Sequence, residues 1–167
     1  LCAGRGQRMH YKTKYIAKPL IKILNQPILK TNINYLSSMG IKNCIINNSY
    51  NYLTIQKFIK NYSYKNTIPK IYSSFERDRL ETGGGVKKVL PIFNKTKMLI
   101  INGDSLLLRK SNSCPVKKLF KNFNSNYMSI LLLLAPINKS IGYYGGGDFI
   151  VKSNKITSRI ERKKKKY

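Results

Sequence analysis

The stretch "IKNCIINNSYNYLTIQKFIKNYSYKNTIPKIYSSF", residues 41–75, has an apolar block near each end and a helical period between the two blocks. The blocks, 43–47 and 70–74, are short, partly β-branched and bounded by polar residues, which is typical of strands. Between them, apolar residues from Leu53 to Ile59 recur at a spacing that favours a helix. A strand, a helix and a second strand in this order predict a βαβ unit with parallel strands.

The same alternation extends on both sides of this unit. Apolar residues recur at helical spacing between Ile28 and Leu36, so a helix is expected there that ends at Gly40. A further helix is predicted around Val86, Val89 and Leu90, and strands are predicted at 97–102, 127–134 and 148–152. The fold class is therefore α/β with a mostly parallel central sheet. Ligands of such sheets bind beyond the carboxyl ends of the strands.

Length and composition suit one folded domain. The chain has 167 residues, of which 42% are hydrophobic, enough for one core. It contains no run of about 18 to 20 apolar residues and no signal-peptide pattern, so we expect a cytoplasmic protein without a membrane span. The three cysteines have neither paired nor metal-ligand spacing, so they are interpreted as reduced thiols. The single histidine, His10, cannot by itself provide a histidine-rich metal site.

The charge is strongly positive, with 32 Lys and Arg against 6 Asp and Glu. Such a surface attracts polyanions, so a nucleic-acid-binding module is one interpretation. The lysines are spread along the whole chain, however, and Lys, Ile, Asn and Tyr, which have AT-rich codons, make up 75 of the 167 residues. Compositional drift is the alternative interpretation. Only residues 161–167, "ERKKKKY", form a dense run, which we interpret as a basic tail beyond a domain of residues 1–160.

A glycine-rich turn follows Ala3, with the sequence Gly4-Arg5-Gly6-Gln7-Arg8. Two glycines allow a sharp turn that exposes backbone N–H groups to phosphate oxygens, and Arg8 adds a forked cation. Lys18 adds a second cation beside a proline. Two cations at one glycine turn suit a triphosphate, whereas a simple turn with surface cations remains the alternative. The dinucleotide and P-loop patterns are both incomplete here.

Two further motifs lie after predicted strands. In "LETGGGVKK" (80–88), Thr82 can cap a helix whose first turn contains three glycines, a costly composition unless something approaches the backbone closely. We therefore expect an ordered turn packed against a flat ligand, a flexible loop being the alternative. In "IINGDS" (100–105), Asp104 follows an apolar strand. A carboxylate at that edge suits Mg²⁺ bridging phosphates, although an Asp at a strand end often only caps a turn.

These motifs together resemble the sugar-1-phosphate nucleotidyltransferases, in particular the branch of N-acetylmuramate-1-phosphate uridylyltransferase and mannose-1-phosphate guanylyltransferase-like proteins. The motifs "LCAGRGQRM…KPL", "LETGGGVKKVLP" and "INGDS" occur in the order and at the intervals of that family, and the resemblance extends from Leu1 to about Asp148. It implies a Rossmann-like α/β/α sandwich of the glycosyltransferase-A type. It also implies transfer of a nucleoside monophosphate from UTP or GTP to a sugar-1-phosphate, with release of pyrophosphate.

The resemblance also implies roles for individual residues. Ala3, Gly4 and Gly6 would lie along the nucleotide, and Glu81 and Gly84 would border its base and ribose. The phosphates would face Arg8 and Lys18, and Asp104 would hold Mg²⁺ as the metal ligand; these three are the expected catalytic residues.

A sugar site is a further expectation. In "GYYGGGDF" (142–149), glycines permit close approach, and Gly147 and Asp148 could border the sugar, with the carboxylate accepting hydroxyl hydrogen bonds. A tight hairpin turn is an equally open interpretation.

The chain also departs from the family pattern. Gln7 replaces the usual Thr, prolines near Tyr11 and Ala17 are missing, and the family's earlier strand residues and second metal-binding Asp have no counterpart, so we expect a partial enzyme. The alternatives are an inactive nucleotide-binding relative and a basic nucleic-acid-binding module.

Overall fold

The computed structural model describes residues 1–65, 68–93, 97–106, 114–140, 144–153 and 155–159. Its contacts divide the chain into two compact units, residues 1–108 and 109–167. The first unit contains β1 (Lys22–Ile23), β2 (Gln26–Pro27), α1 (Ile28–Ser38), β3 (Asn43–Asn48), α2 (Tyr52–Lys65), β4 (Lys70–Phe75) and α3 (Glu81–Val89). The second contains α4 (Pro115–Asn122), β5 (Phe149–Lys152) and β6 (Lys155–Arg159). Within the described ranges, no helix has the length and apolar character needed to cross a membrane.

The predicted βαβ unit is confirmed. Strands β3 and β4 pair in parallel over six residues, from Asn43 opposite Lys70 to Asn48 opposite Phe75, and α2 connects them. The inward face of α2 places Ile55 at 0% exposure. Because the strands are parallel, their carboxyl ends lie at the same edge of this sheet, where a ligand site is expected.

The helix predicted before Gly40 is also confirmed as α1. Leu29, Ile33 and Leu36 repeat at helical spacing and are all buried. Gly40 ends the helix at a φ of +80°, a conformation that favours glycine. Helix α1 thus covers one side of the core that also contains Cys2, Ala17, Leu20, Ile46, Ile55 and Tyr62.

The prediction of a strand at 97–102 is wrong, because this segment forms no strand in the structure. The segment does pair with the start of the chain, because the Leu1 ammonium donates to the Ile101 carbonyl at 2.6 Å and the Gly103 N–H donates to the Leu1 carbonyl at 2.8 Å. This is the pattern of a parallel ladder, but a single paired residue is too short for a strand. Its effect is to hold Gly103 and Asp104 beside the glycine turn.

In the second unit, β5 confirms the strand expected at 148–152. It pairs in antiparallel fashion with β6, which the sequence analysis did not predict, and a register shift lies between Ile150 and Val151. The buried strand expected at 127–134 is wrong: the segment is irregular, and Ile130, Leu132 and Leu133 are 75%, 46% and 47% exposed. The basic tail, 161–167, lies outside the described residues.

The described residues form three two-stranded sheets, one parallel and two antiparallel. The α/β class is therefore present, and the parallel sheet is smaller than the mostly parallel central sheet that was expected.

Candidate active site

A cleft of about 250 Å³ lies at the carboxyl end of β3, within the first unit. Three segments converge on it: the glycine turn at the start of the chain, the loop that follows β4, and the residues around Asp104. Its lining residues are Leu1, Cys2, Ala3, Gly4, Lys18, Pro19, Asn47, Arg79, Glu81, Thr82, Asn102 and Asp104. The cleft thus combines backbone of a glycine turn with two cations and two carboxylates.

The glycine turn is held at both ends. At its start, the Cys2 N–H donates to Oδ1 of Asn47 at 2.7 Å. At its end, Gly6 has a φ of +66°, and a Cβ there would lie 2.9 Å from Cγ2 of Thr13. Gly4 lines the cleft, and a Cβ on it would meet nothing within 4 Å. Gly6 is therefore required by the conformation of the turn, whereas Gly4 leaves open space on the side where a ligand would approach.

Gly103 brings Asp104 to the cleft. A Cβ on Gly103 would overlap Sγ of Cys2 and lie 3.0 Å from the Leu1 carbonyl oxygen, so the two segments can approach this closely only at a glycine. The Gly103 carbonyl accepts a hydrogen bond from Nδ2 of Asn32, which is 2% exposed, at 3.4 Å. The backbone before Asp104 is thus packed on one side against the glycine turn and on the other against α1.

Two of the three charged residues predicted for the phosphate site, Lys18 and Asp104, form an ion pair. Nζ of Lys18 lies 2.6 Å from Oδ2 of Asp104, and both side chains are about one third exposed. In the part of the chain that the structure describes, no group of three or more His, Cys, Asp or Glu side chains could hold a metal. The partly exposed carboxylate of Asp104 suits Mg²⁺ that takes most of its other ligands from phosphates and water. The donor set fits Mg²⁺ in that shared form.

A second ion pair, between Arg79 and Glu81, also lines the cleft. Both side chains are largely exposed, so the pair contributes little to stability. Glu81 begins α3 at a φ of +56°, a left-handed conformation that costs a residue with a side chain about 1 to 2 kcal/mol. The expected Thr82 cap is wrong, because α3 begins at Glu81 and has no side-chain cap.

A buried polar chain connects the segments around the cleft. Glu76, which is 1% exposed, accepts hydrogen bonds from Nδ2 of Asn47 at Oε1 (2.8 Å) and from the Leu80 N–H at Oε2 (3.1 Å). Asn47 is in turn the acceptor for the Cys2 N–H. The carboxylate at the end of β4 is therefore linked to the glycine turn through a side chain at the end of β3.

The three glycines of α3 differ in what surrounds them. A Cβ on Gly83 would meet nothing within 4 Å, and one on Gly84 would lie 2.8 Å from Cβ of Leu80. A Cβ on Gly85 would lie 2.7 Å from Oε1 of Glu76 and 3.0 Å from Nδ2 of Asn47. The sequence predicted that a ligand approaches these glycines closely. At Gly85 the group that lies close to the backbone is instead the buried carboxylate of Glu76.

Burial raises the pKa of the Cys2 thiol to about 11 and also raises the pKa of Cys44. The neighbouring N-terminal ammonium opposes the shift at both thiols. All three cysteines are free, as expected. A thiol with so high a pKa is not a nucleophile near neutral pH, so Cys2 serves in packing.

Of the predicted site residues, the structure brings Ala3, Gly4, Lys18, Glu81 and Asp104 together around the cleft. Arg8, Gly6 and Gly84 are not among its lining residues, and Arg8 is exposed on the 3₁₀ segment Gln7–Thr13. Gly147, with a φ of +88°, and Asp148 lie in the second unit, just before β5.

Three residues of the site were missed from sequence. Arg79 lies in the charged run "ERDR" after β4, and nothing in that run shows which charge faces the cleft. Asn47 lies at the end of β3, and Glu76 is the first residue after β4. Their position at the carboxyl edge of the sheet was the available signal, because ligand sites collect there.

The chain is similar to known proteins over most of its length. The family model described as "Nucleotidyl transferase" matches residues 1–143. D-glycero-alpha-D-manno-heptose 1-phosphate guanylyltransferase of Campylobacter jejuni is 33% identical over 132 residues, which cover 74% of this chain and 58% of the relative. N-acetylmuramate alpha-1-phosphate uridylyltransferase of Caulobacter vibrioides is 24% identical over 155 residues, which cover 92% of this chain and 64% of the relative.

A second heptose 1-phosphate guanylyltransferase, from Aneurinibacillus thermoaerophilus, is 28% identical over 162 residues, which cover 97% of this chain and 66% of the relative. The chain therefore spans between 58% and 66% of the length of these relatives. The family match covers both the glycine turn and Asp104, which line one cleft in the structure. This chain belongs to the nucleotidyl transferase family.

Proposed function

We propose that the cleft binds the nucleoside triphosphate, UTP or GTP, of a sugar-1-phosphate nucleotidyltransferase. The observation that carries this proposal is the convergence of Gly4, Lys18 and Asp104 on one cleft at the carboxyl end of β3. The relatives named above use sugar-1-phosphates with guanylyl or uridylyl groups, as their names state. The complete fold we propose is a Rossmann-like sandwich with a mostly parallel central sheet, of which β3 and β4 are two strands.

The reaction is a direct displacement. An oxygen of the sugar-1-phosphate forms a bond to the α-phosphorus of the triphosphate, the bond from that phosphorus to the bridging oxygen breaks, and pyrophosphate leaves with the electron pair. The attacking phosphate is already ionised near neutral pH, so the protein supplies alignment and charge neutralisation rather than a covalent nucleophile.

The side chains have separate roles in this proposal. The open backbone at Ala3 and Gly4 lies along the nucleotide, and Lys18 donates to its phosphates. Asp104 holds Mg²⁺, which when bound neutralises phosphate charge. Lys18 and Asp104 pair with each other in the free protein. In the bound state Lys18 would contact phosphate instead, and Asp104 would be the residue that holds the metal.

The other predicted residues remain part of the proposal. Glu81 and Gly84 border the base and ribose, Gly6 sets the turn, and Gly147 and Asp148 border the sugar. Arg8 contacts the phosphates in this proposal. In the free protein Arg8 is exposed and does not line the cleft.

Calorimetric titration with UTP and with GTP, in the presence of Mg²⁺, tests the proposal. Lys18→Ala and Arg8→Ala should each weaken binding about ten- to a hundredfold, because each loses a charge-assisted contact worth roughly 1.5 to 3 kcal/mol. Lys22→Ala, an exposed lysine outside the cleft lining, is the matched control for net charge. Absence of binding to both nucleotides by the unaltered chain would reject the site, and unchanged affinity of Arg8→Ala would remove that residue from it.

Pyrophosphate release with a panel of sugar-1-phosphates tests the chemistry. Asp104→Asn should abolish most turnover, while Asp78→Asn, an exposed acid in the loop after β4 that does not line the cleft, should not. Equal activity of the two variants would remove Asp104 from the proposed metal site.

A further inference from the structure

Glu76 is a buried carboxylate that the proposed reaction does not use. It is 1% exposed and does not line the cleft. Its described partners are neutral donors, Nδ2 of Asn47 and the backbone N–H of Leu80. Removing a carboxylate from water is costly unless its oxygens are hydrogen-bonded, so a role in this particular arrangement is expected.

The arrangement joins the two sides of the cleft. We define the brace as the hydrogen-bonded chain from the Cys2 N–H through Asn47 and Glu76 to the Leu80 N–H. Cys2 begins the glycine turn, and Leu80 immediately precedes Glu81, so each end of the brace lies beside a cleft-lining residue.

We infer that Glu76 is a positioning residue for nucleotide binding: acting through the brace, it holds the glycine turn and the loop 77–80 in the relative placement that the nucleotide needs. This inference rests on the proposed nucleotide-binding function.

The direction of the hydrogen bonds determines which side chain at position 76 can complete the brace. Both ends of the brace are N–H donors, Asn47 supplies one acceptor and one donor, and only a group with two acceptors at position 76 completes the chain. A Gln at 76 would face either Leu80 N–H or Asn47 Nδ2 with its own NH₂ group. Turning the Asn47 amide around only transfers the mismatch to the Cys2 N–H. Every arrangement of Glu76→Gln therefore leaves two donors facing each other.

The two side chains can be exchanged in type without this mismatch. In the double variant Asn47→Asp/Glu76→Gln, the carboxylate at 47 accepts from the Cys2 N–H and from the Gln amide, whose oxygen accepts from the Leu80 N–H. The net charge of the protein is unchanged. Asn47→Asp alone instead places two carboxylates against each other. The single variants should thus be worse than the double, which is the reverse of additive behaviour.

The experiment compares the unaltered chain with both single variants, the double variant and Ile33→Val. Ile33→Val is a core change in α1 that lowers stability and leaves every hydrogen-bonding group of the brace in place. Thermal unfolding is measured without nucleotide, and UTP and GTP affinities are measured at a temperature where every variant is folded. We expect Glu76→Gln to bind nucleotide about tenfold more weakly. Ile33→Val should bind as the unaltered chain does, and the double variant should unfold at a higher temperature than either single variant.

Equal nucleotide affinity of Glu76→Gln and the unaltered chain would overturn the inference. So would a double variant that unfolds at no higher temperature than the more stable of the two single variants. If Glu76→Gln does not fold, the double variant decides alone, because the inference requires that it folds and binds nucleotide. If the unaltered chain binds neither nucleotide, the proposed function fails, and the rescue in thermal stability still tests the brace separately.

Discussion

The third glycine of α3 should be intolerant of a single added methyl group, whereas the first should not. A Cβ on Gly85 would lie 2.7 Å from Oε1 of Glu76, closer than real Cβ contacts come. The neighbour cannot withdraw easily, because the carboxylate is buried and accepts a hydrogen bond at each oxygen. A Cβ on Gly83 would meet nothing within 4 Å.

The magnitude follows from two opposing terms. Replacing Gly by Ala in a helix gains about 0.8 to 1 kcal/mol of helix propensity at either position. At Gly85 the forced displacement of a packed group costs about 1 to 3 kcal/mol. Gly83→Ala should therefore stabilise the free protein by up to about 1 kcal/mol. The gain in helix propensity is the same in both variants. The difference between their free energies of unfolding therefore equals the steric cost at Gly85, about 1 to 3 kcal/mol.

Urea unfolding of Gly83→Ala and Gly85→Ala, followed by circular dichroism, provides the comparison. The double variant Glu76→Ala/Gly85→Ala serves as the control, since removing the carboxylate makes room for the methyl group and should reduce the cost of the Ala at 85. Equal free energies of unfolding for the Gly83 and Gly85 variants would refute the reasoning, because the two sites would then have the same space around them.

Three other predictions concern single residues. Glu81→Gly should raise the free energy of unfolding by up to about 1 kcal/mol because it relieves a φ of +56°, and Glu81→Ala, which keeps the strain, should not; urea unfolding distinguishes them. Lys18→Ala should weaken nucleotide binding about ten- to a hundredfold and yet strengthen Mg²⁺ binding to the nucleotide-free protein, since its ammonium no longer neutralises Asp104. Calorimetry with Lys22→Ala as control measures both affinities, and changes in the same direction would contradict the ion-pair exchange. Burial raises the pKa of Cys2 from 9.0 in the unfolded chain to about 11 in the folded protein. Between these two values the thiol ionises in the unfolded chain only, so the free energy of unfolding falls by about 2 to 3 kcal/mol as the pH rises from 9 to 11. Cys2→Ala should flatten the urea-unfolding profile over that range, and an unchanged slope would exclude the thiol as its cause.

The helices and strands that have a clear local pattern of apolar residues could be predicted from sequence. Helix α1 was found because apolar residues from Ile28 to Leu36 repeat on one face, and β3 and β4 because short apolar blocks are bounded by polar residues. The segments 97–102 and 127–134 carry equally apolar sequences and are not strands. A strand exists only where another backbone pairs with it, and the composition of one segment does not contain that information.

Some residues of the site could be predicted from sequence and others could not. Glycine spacing and an Asp after an apolar block pointed to Gly4 and Asp104, because the chemistry of those residues is local. Glu76 was missed because its role depends on a partner 29 residues earlier, Asn47, and on the burial of one charge among the four of "ERDR". Tertiary packing decides which of several adjacent charged side chains is buried. The sequence alone therefore indicates the loop that contributes to the site but not the residue.

The exposed apolar segment of the second unit has a consequence for how the protein behaves in solution. Residues 127–136 carry no charge, and Ile130, Leu132 and Leu133 are substantially exposed. Segments of this composition pair with copies of themselves when two molecules meet. The formal charge of +26 keeps the molecules apart by mutual repulsion. Salt shortens the range of that repulsion to roughly 8 Å at physiological ionic strength and about 3 Å at 1 M, so self-association of this protein should increase with salt.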